Sequence, residues 1–414
     1  MIKTIVNLLG IALLLYIIWF FMKDTVVVHL IKWKLQHEGL TMQKNEWREF
    51  DLDNVPGETP ASLFGGSKRG QAILKYRFEL MYPFDGKVGF YGGSDRKKQE
   101  ELCFDEEKPS MIDCSEERET AYLFRTIDDG KSFTRQSLGH GVVNGIKKMG
   151  TRYFLNVHEA DTYKDHTFVS NDSGEHWSRL GEFRIEALFD TDRFIYSKTI
   201  VTTSIADRKT YYYYTKDGGK TGAPLNDKLL NYFEQSKSLS YNRFHVYQGR
   251  LVFLIEDMLL SVDIDTLEEQ KILLKKPSHQ LFKRIDIDPE SGNLYIFTKD
   301  TDFKATKKRK FPQLSIWFPF EDTFVKFDKN LPKNIYFKVR RNYIGGLFRY
   351  KGYLTHVWTM NKGKEWEFEM LPDYFWNTSF TGYGNGRIYM RALVVGKKDI
   401  KDGSYLIMGK IKDK

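Results

Sequence analysis

Histidine and carboxylate side chains stand close together at one point of the chain, where they could bind a metal ion. His158, Glu159 and Asp161 follow a run of residues that is typical of a strand. Imidazole nitrogens and carboxylate oxygens are common ligands of transition metals, so this trio could form a metal site at the strand end. A solvated loop explains the same residues more simply, and we favour that interpretation.

Paired aspartates offer a second kind of chemistry. Asp263 and Asp265, and likewise Asp286 and Asp288, alternate along predicted strands and could supply oxygen ligands to Ca²⁺. Neither pair comes with a glycine-rich loop of further ligands, so we interpret them as exposed turn carboxylates and predict no required metal or cofactor. The sequence also has no G-x-S-x-G, H-E-x-x-H or phosphate-binding loop, which disfavours the commoner hydrolase classes.

The amino-acid composition favours β-strands and excludes few classes of binding partner. The chain has 414 residues, of which 15% are aromatic, an enrichment typical of β-structure. Its 64 basic and 55 acidic residues give a formal charge of +9, a mild excess for this length, and we predict no nucleic-acid binding. Two cysteines exclude a zinc site with four cysteine ligands.

The segment Ile5–Met22 contains no charged residue. Eighteen helical residues span about 27 Å, which is just enough to cross the core of a bilayer. A cleaved signal peptide is the alternative, but no A-x-A-like cleavage site follows. We therefore predict a transmembrane anchor or uncleaved signal in residues 1–24 and a juxtamembrane segment and linker in residues 25–70.

The two cysteines bear on the compartment. Cys103 and Cys114 lie eleven residues apart, with Pro109 between them, and could close a small loop by a disulfide bond. Two unrelated thiols are the alternative. A disulfide needs an oxidising compartment such as the periplasm. We predict a single-pass protein of the bacterial inner membrane with most of the chain in the periplasm, although the charges flanking the apolar segment do not by themselves favour that orientation.

Residues 71–414 are typical of an all-β domain. Short strand-like runs are separated by turns about every 8–12 residues, the spacing typical of β-sandwiches, barrels and related all-β folds. One short helix is predicted near Asp227 to Gln235.

A repeated turn motif is the most specific feature of the sequence. Four segments fit Ser/Thr-x-Asp-x-Gly-x-x-aromatic: TIDDGKSF from Thr126, SNDSGEHW from Ser170, TKDGGKTG from Thr215 and TMNKGKEW from Thr359. We expect the carboxylate to bind backbone N–H groups of its own turn, the glycine to adopt a conformation that other residues resist, and the aromatic ring to pack on neighbouring strands. The predicted structural residues are Asp128, Gly130, Phe133, Asp172, Gly174, Trp177, Asp217, Gly219, Asn361, Gly363 and Trp366.

The spacing of the motif indicates a β-propeller. Asp128, Asp172 and Asp217 are 44 and 45 residues apart, and Asn361 follows after three steps of 48. This period matches one four-stranded propeller blade. Ser261–Thr266 falls one step after the third motif and could form the matching hairpin of a degenerate blade. We predict six to eight blades.

These segments resemble the Asp-box, or BNR, repeats of sialidases and other propellers. The resemblance implies a propeller whose boxes lie on outer hairpins, away from the ligand face, with structural rather than catalytic aspartates. Sialidases also have an Arg-Ile-Pro signature before their first box. Here the nearest segment is Phe183–Glu186 (FRIE), which lacks the proline and follows the second box. We therefore predict no catalysis, with a sialidase-like protein that binds or hydrolyses glycans as the alternative.

A second resemblance concerns the partner. Tyr76–Gly93 (YRFELMYPFDGKVGFYGG), followed by Cys103 and Cys114, is similar to the opening of propellers that give immunity to type VI secretion lipases. The resemblance implies a protein partner, a secreted lipase or cell-wall hydrolase, neutralised by blocking its active site. A membrane-complex assembly factor is a further alternative. A basic run could contact such a partner or the membrane, or could be a solvated hairpin tip; it comprises Lys304, Lys307, Lys308, Arg309 and Lys310.

Overall fold

The computed structural model describes most of the repeat region and part of the N-terminal region. The described residues are 22, 25–37, 39–42, 46–51, 76–85, 87–95, 120–128, 130–159, 162–201, 208–237, 244–255, 258–273, 280–287, 294–300, 314–318, 323–327, 337–340, 343–350, 353–371, 376–384, 386–394 and 403–411. Strands predominate in these ranges, which confirms the all-β prediction.

The first three sheets in chain order are four-stranded. Sheet 1 contains β3 (Tyr76–Asp85), β4 (Val88–Asp95), β5 (Thr120–Thr126) and β6 (Thr134–His140). Sheet 2 contains β7 (Val142–Met149), β8 (Arg152–Glu159), β9 (Lys164–Ser170) and β10 (Ser178–Gly181). Sheet 3 contains β11 (Arg184–Leu188), β12 (Phe194–Ile200), β13 (Lys209–Thr215) and β14 (Ala223–Pro224).

Four more sheets follow. Sheet 4 contains β15 (Phe244–Tyr247), β16 (Arg250–Ile255), β17 (Met258–Val262) and β18 (Glu269–Leu273). Sheet 5 contains β19 (Gln280–Ile287), β20 (Leu294–Asp300), β21 (Leu314–Phe318) and β22 (Thr323–Phe327). Sheet 6 contains β23 (Lys338–Arg340), β24 (Tyr343–Tyr350), β25 (Tyr353–Thr359), β26 (Trp366–Met370) and the N-terminal β1 (Leu40–Met42). Sheet 7 contains β27 (Trp376–Gly384), β28 (Arg387–Val394), β29 (Gly403–Lys410) and the N-terminal β2 (Glu46–Asp51).

The arrangement is a propeller-like all-β fold. Within each of sheets 1 to 5 the strands follow one another in chain order, and each pairs antiparallel with the next. The first strand of sheet 7, β27, contacts the first strand of sheet 1, β3, so the last sheet lies beside the first. The seven sheets of the described residues fall within the predicted range of six to eight blades.

The N-terminal strands complete the last two sheets. β2 pairs antiparallel with β29, from Glu46 opposite Lys410 to Asp51 opposite Tyr405, and β1 pairs parallel with β26. Leu40–Met42 and Glu46–Asp51, which we predicted as part of a juxtamembrane segment and linker, therefore belong to the sheets. Their pairing partners lie more than 300 residues away in the sequence, so the local pattern could not indicate them.

Buried side chains join neighbouring sheets. Between sheets 1 and 2, for example, Phe90 and Leu123 pack against Val143 and Leu155. Similar clusters join sheets 2 and 3, 3 and 4, 4 and 5, 5 and 6, and 6 and 7. Burying one such side chain contributes about 1.5–3 kcal/mol, so these contacts stabilise the stacking of the sheets.

Two helices accompany the sheets in the described residues. Helix α1, residues 25–37, packs against sheets 5 and 6, and helix α2 (Asp227–Lys237) packs against sheets 3 and 4, near the predicted position. Among the described residues no helix has both the length and the apolar character needed to span a membrane. The predicted anchor lies outside them, except for Met22, which is helical.

The two edges of the sheets differ in the length of their connections. In an antiparallel meander, the connections between strands one and two and between strands three and four share one edge, which we call the box edge. Every such connection has at most seven residues. At the opposite edge, which we call the long-connection edge, end the strands that flank the longer connections, residues 52–75, 96–119, 225–243 and 301–313. Because binding residues occur preferentially on loops held by a rigid scaffold, this asymmetry favours the long-connection edge as the functional side.

Candidate functional site

The four repeated motifs form turns with the same hydrogen bonds. In the second, the Ser170 hydroxyl donates to Asp172 Oδ1 over 2.8 Å and accepts from the Gly174 N–H over 2.8 Å. The N–H groups of Glu175 and His176 donate to Asp172 Oδ1, each over 3.0 Å. Equivalent bonds are made around Asp128, Asp217 and Asn361. These oxygens are therefore engaged in holding their own turns.

The fourth turn shows which atom the motif needs. The Thr359 hydroxyl donates to Asn361 Oδ1 over 2.8 Å, and the Glu365 N–H donates to the same oxygen over 2.9 Å. An amide oxygen thus takes the place of the carboxylate oxygen that the other turns use. The negative charge is not required for this geometry.

The aromatic residues of the first, second and fourth motifs pack into the interior of the fold. Phe133 and Trp366 are buried, and Trp177 packs against the cluster between sheets 1 and 2. The third motif has Gly222 at this position, where a Cβ atom would lie only 2.0 Å from the Tyr196 hydroxyl. The Tyr196 ring therefore occupies the space beside Gly222. The motif gives no sign of Tyr196, because this residue lies outside it on β12.

Neighbouring turns along the box edge are joined. The Arg125 Nε–H, just before the first motif, donates to the Ser173 carbonyl of the second over 2.8 Å. Ser261–Thr266 spans the end of β17 and the start of its turn to β18, the position that the repeat spacing predicted. In this turn the Asp265 carboxylate pairs with Lys216 over 2.6 Å and with Arg193 over 3.2 Å, both from sheet 3.

The motif aspartates are held ionised. Hydrogen bonds from the Thr221 side chain and backbone, and from Thr215, lower the pKa of Asp217 to about 2. At Asp128, burial alone would raise the pKa, but bonds from Ser132, Thr126 and Lys131 outweigh it and lower the pKa to about 2. The backbone N–H of His176 leads the bonds that lower the pKa of Asp172.

These shifts predict an acid-labile fold. A carboxyl group whose pKa is depressed in the folded state stabilises the fold above its unfolded pKa of about 3.9 and loses that effect as the pH falls towards 2. The thermal unfolding midpoint of the full-length protein in detergent should therefore fall between pH 4 and pH 2. The double variant Asp128→Asn, Asp217→Asn should show a smaller fall, since Asn361 shows that an amide can hold such a turn. An unchanged acid response in the double variant would contradict this account.

The proposed metal ligands are paired with protein groups. Among the described residues, no cluster of three or more His, Cys, Asp or Glu side chains could hold a metal ion. His158 Nδ1 lies 3.0 Å from Asp165 Oδ1, and Glu159 accepts from the Thr162 hydroxyl over 2.7 Å. Asp263 binds the backbone of its own turn. Asp161 and Asp288 lie outside the described residues.

A chain of polar contacts fixes the hairpin between β8 and β9. His166 Nε2 lies 2.8 Å from Glu159 Oε1, and Arg179 Nη2 lies 2.7 Å from His166 Nδ1. Arg179 also donates to Glu182 Oε1 over 2.9 Å. Because the guanidinium can only donate, Nδ1 accepts and Nε2–H donates to Glu159. Both imidazole nitrogens are then occupied, so His166 supports the hairpin and has no free lone pair for general base catalysis.

The neighbouring hairpin of sheet 3 presents exposed aromatic, aliphatic and basic side chains. On β12 and β13 the paired residues Ile200–Lys209 and Lys198–Tyr211 lie on one face of the sheet. Tyr196 lies further along the same face and packs against sheet 2. Ile200 is 48% exposed and Tyr211 is 44% exposed.

The hairpin of sheet 2 adds one more ring to this surface. The guanidinium of Arg208 lies 5.7 Å from the centre of the Tyr163 ring, within the range of a cation–π contact. Tyr163 has a φ of 56°, unusual for a residue with a side chain. We name this surface at the long-connection edge the hairpin patch; it consists of Tyr163, Lys198, Ile200, Arg208, Lys209 and Tyr211.

The residues of the possible disulfide and the basic run lie outside the described residues. Cys103 and Cys114 fall in the connection between β4 and β5, so their pairing stays a prediction. The basic run Lys304 to Lys310 falls in the connection between β20 and β21. Both connections leave described strands at the long-connection edge.

Comparison with known proteins does not assign the chain to a family. No protein-family model matches the sequence, and no curated protein matches it. Among solved structures the chain is similar to the polysaccharide lyase Uly1, at 9% identity and a TM-score of 0.42, over 89% of this chain and all of that one. It is also similar to a GH74 xyloglucanase from Xanthomonas campestris (12% identity, TM-score 0.37, 84% of this chain) and to a prolyl endopeptidase (11%, 0.42, 78%). It spans 60% of the xyloglucanase and 47% of the endopeptidase. Likenesses at this level carry no conclusion about activity.

Proposed function

We propose that this chain is a membrane-anchored β-propeller that acts by binding a protein, with the hairpin patch as a recognition surface. The observation that carries the proposal is the composition of that patch. Tyrosine and arginine are enriched among the residues that dominate binding energies in protein interfaces. Here Arg208 contacts the Tyr163 ring, Tyr211 lies on the same hairpin as Arg208, and the His166 network holds the hairpin that carries Tyr163.

Charge suggests the chemistry of the partner. Lys198, Arg208 and Lys209 give the hairpin patch three cations, and none of its six residues is acidic. Complementary charge accelerates encounter and excludes wrong partners. The partner we propose therefore presents an acidic surface.

The partner class we propose is a secreted effector of type VI secretion, a lipase or cell-wall hydrolase. The chain would act as an immunity protein of the periplasm, with propeller loops that dock on the effector and block its active site. The similarity of Tyr76–Gly93 to lipase-immunity propellers supports this class. The apolar segment Ile5–Met22 supports anchoring in the inner membrane.

Affinity capture of the tagged full-length protein from its native membrane, followed by mass spectrometry, tests the proposal. We expect one stoichiometric secreted hydrolase. Subunits of a membrane complex would instead favour an assembly factor, and hydrolysis of a fluorogenic sialoside would favour a sialidase-like enzyme. A reporter fused after Lys414 should be active in the periplasm, and a cytoplasmic signal would exclude that location.

A further inference from the structure

Helix α1 buries one apolar face against the described part of the fold and carries two large exposed apolar side chains on its outer side, where His37 stacks on Trp33. Val27, Ile31 and Leu35, spaced by four residues, pack on the cluster formed by sheets 5 and 6. Ile31 and Leu35 are almost completely buried there. On the opposite side Leu30 is 50% exposed and Trp33 is 62% exposed. Docking on the sheets alone does not require large apolar side chains among the polar residues of the outer side.

The outer face continues towards the apolar segment. Within α1, Val26 precedes Leu30 by four residues and Trp33 by seven, so all three fall on one stripe of the helix, and Met22, three residues before Thr25, is half exposed. Met22 is also the last residue of the uncharged segment that begins at Ile5. The exposed stripe thus begins at Val26, four residues after the predicted membrane span ends.

The charges of the helix fit a lipid surface. Residues 25–37 contain Lys32 and Lys34 and no acidic residue. At 100° per residue, the two lysines flank the stripe on either side. Tryptophan next to lysine is typical of helices that lie in the headgroup region, where the ring stays at the interface and the amine reaches anionic phosphates.

We infer that α1 lies along the bilayer surface, with Leu30 and Trp33 in the headgroup region, while its other face holds the rim of sheets 5 and 6. This inference rests on the membrane anchor in the proposed function. Its consequence is a propeller held in one orientation to the membrane, since the helix that touches lipid is packed against the sheets and does not swing on a linker.

Tryptophan quenching in vesicles tests the inference. Full-length protein is reconstituted into vesicles of phosphatidylcholine and phosphatidylglycerol, with or without acyl chains brominated near the headgroup. The emission lost in Trp33→Phe, relative to the natural protein, isolates the signal of Trp33. We expect brominated lipid to remove about half of this signal, as for an interfacial ring, and aqueous acrylamide to have little effect.

Two other results would overturn the inference. A Trp33 signal quenched by acrylamide and not by brominated lipid would place the ring in water. A signal shielded from both quenchers would mean that protein, such as a second copy of this chain, covers the face.

The variant Trp19→Phe separates this inference from the anchor on which it rests. Trp19 lies within the predicted span, so its signal should be quenched by brominated lipid. If brominated lipid quenches Trp19 but not Trp33, the inference that α1 lies on the bilayer surface is wrong, while the membrane anchor is supported. If neither responds, the anchor itself is wrong.

Discussion

Gly174→Ala is expected to destabilise the protein by about 2–5 kcal/mol, because the new methyl group adds left-handed backbone strain and overpacks the core. Gly174 has a φ of 79°, and a Cβ atom there would lie 2.3 and 2.4 Å from two ring carbons of Phe90. Phe90 is 1% exposed and contacts the rings of Tyr153 and Trp177, so it has little room to move. Urea unfolding of the full-length variant in detergent measures the change.

Gly150→Ala is the matched control. Gly150 also has a positive φ, 59°, but nothing lies within 4 Å of the position of its Cβ atom. Only the backbone strain remains, and we expect a loss of about 1–2 kcal/mol. Equal losses in the two variants would show that the contact with Phe90 contributes nothing, and that the second turn is not packed against sheet 1 as described.

The repeated turn could be predicted from sequence because it is local. Each motif makes its defining hydrogen bonds within eight residues, so the hydroxyl, carboxylate and glycine of Ser170–Trp177 stand at the same spacing in the sequence and in the turn. The distance between motifs then gave the size of the repeating unit. Both follow from short-range geometry.

Contacts between distant strands could not be predicted in this way. Tyr196 replaces the missing aromatic of the third motif from a neighbouring strand, and β2 finds its place beside β29 at the other end of the chain. Neither contact leaves a pattern in the surrounding sequence. A partner hundreds of residues away is recognised only once the sheets are assembled.

The exposed residues of the hairpin patch could not be predicted from the sequence pattern either. Alternation along Tyr211–Tyr214 predicts two exposed and two buried rings. In the structure Tyr212 and Tyr214 pack towards sheet 4, while Tyr213 packs towards sheet 2 and Tyr211 extends beyond it. Which ring is exposed depends on how far the hairpin of sheet 3 extends past its neighbour. That length is a property of the assembled fold.

Arg208→Glu and Tyr211→Ala are each expected to raise the Kd for the captured partner by about 30-fold or more, the effect of losing roughly 2 kcal/mol at an interface anchor. The charge reversal should act mainly on the association rate and should weaken at high salt, because it alters electrostatic steering. The loss of the ring should act mainly on the dissociation rate. Surface plasmon resonance with the detergent-solubilised full-length protein measures both rates.

Lys87→Glu is the matched control for Arg208→Glu. Lys87 is exposed in the turn between β3 and β4, at the box edge, and the change in net charge is the same. If the partner binds through the hairpin patch, this variant should change the Kd by less than about threefold, because exposed charges beyond a Debye length of about 8 Å are largely screened. A larger effect at Lys87 than at Arg208 would move the docking surface to the box edge. Since the motif carboxylates are engaged in their own turns, the partner would then have to recognise the short connections of that edge.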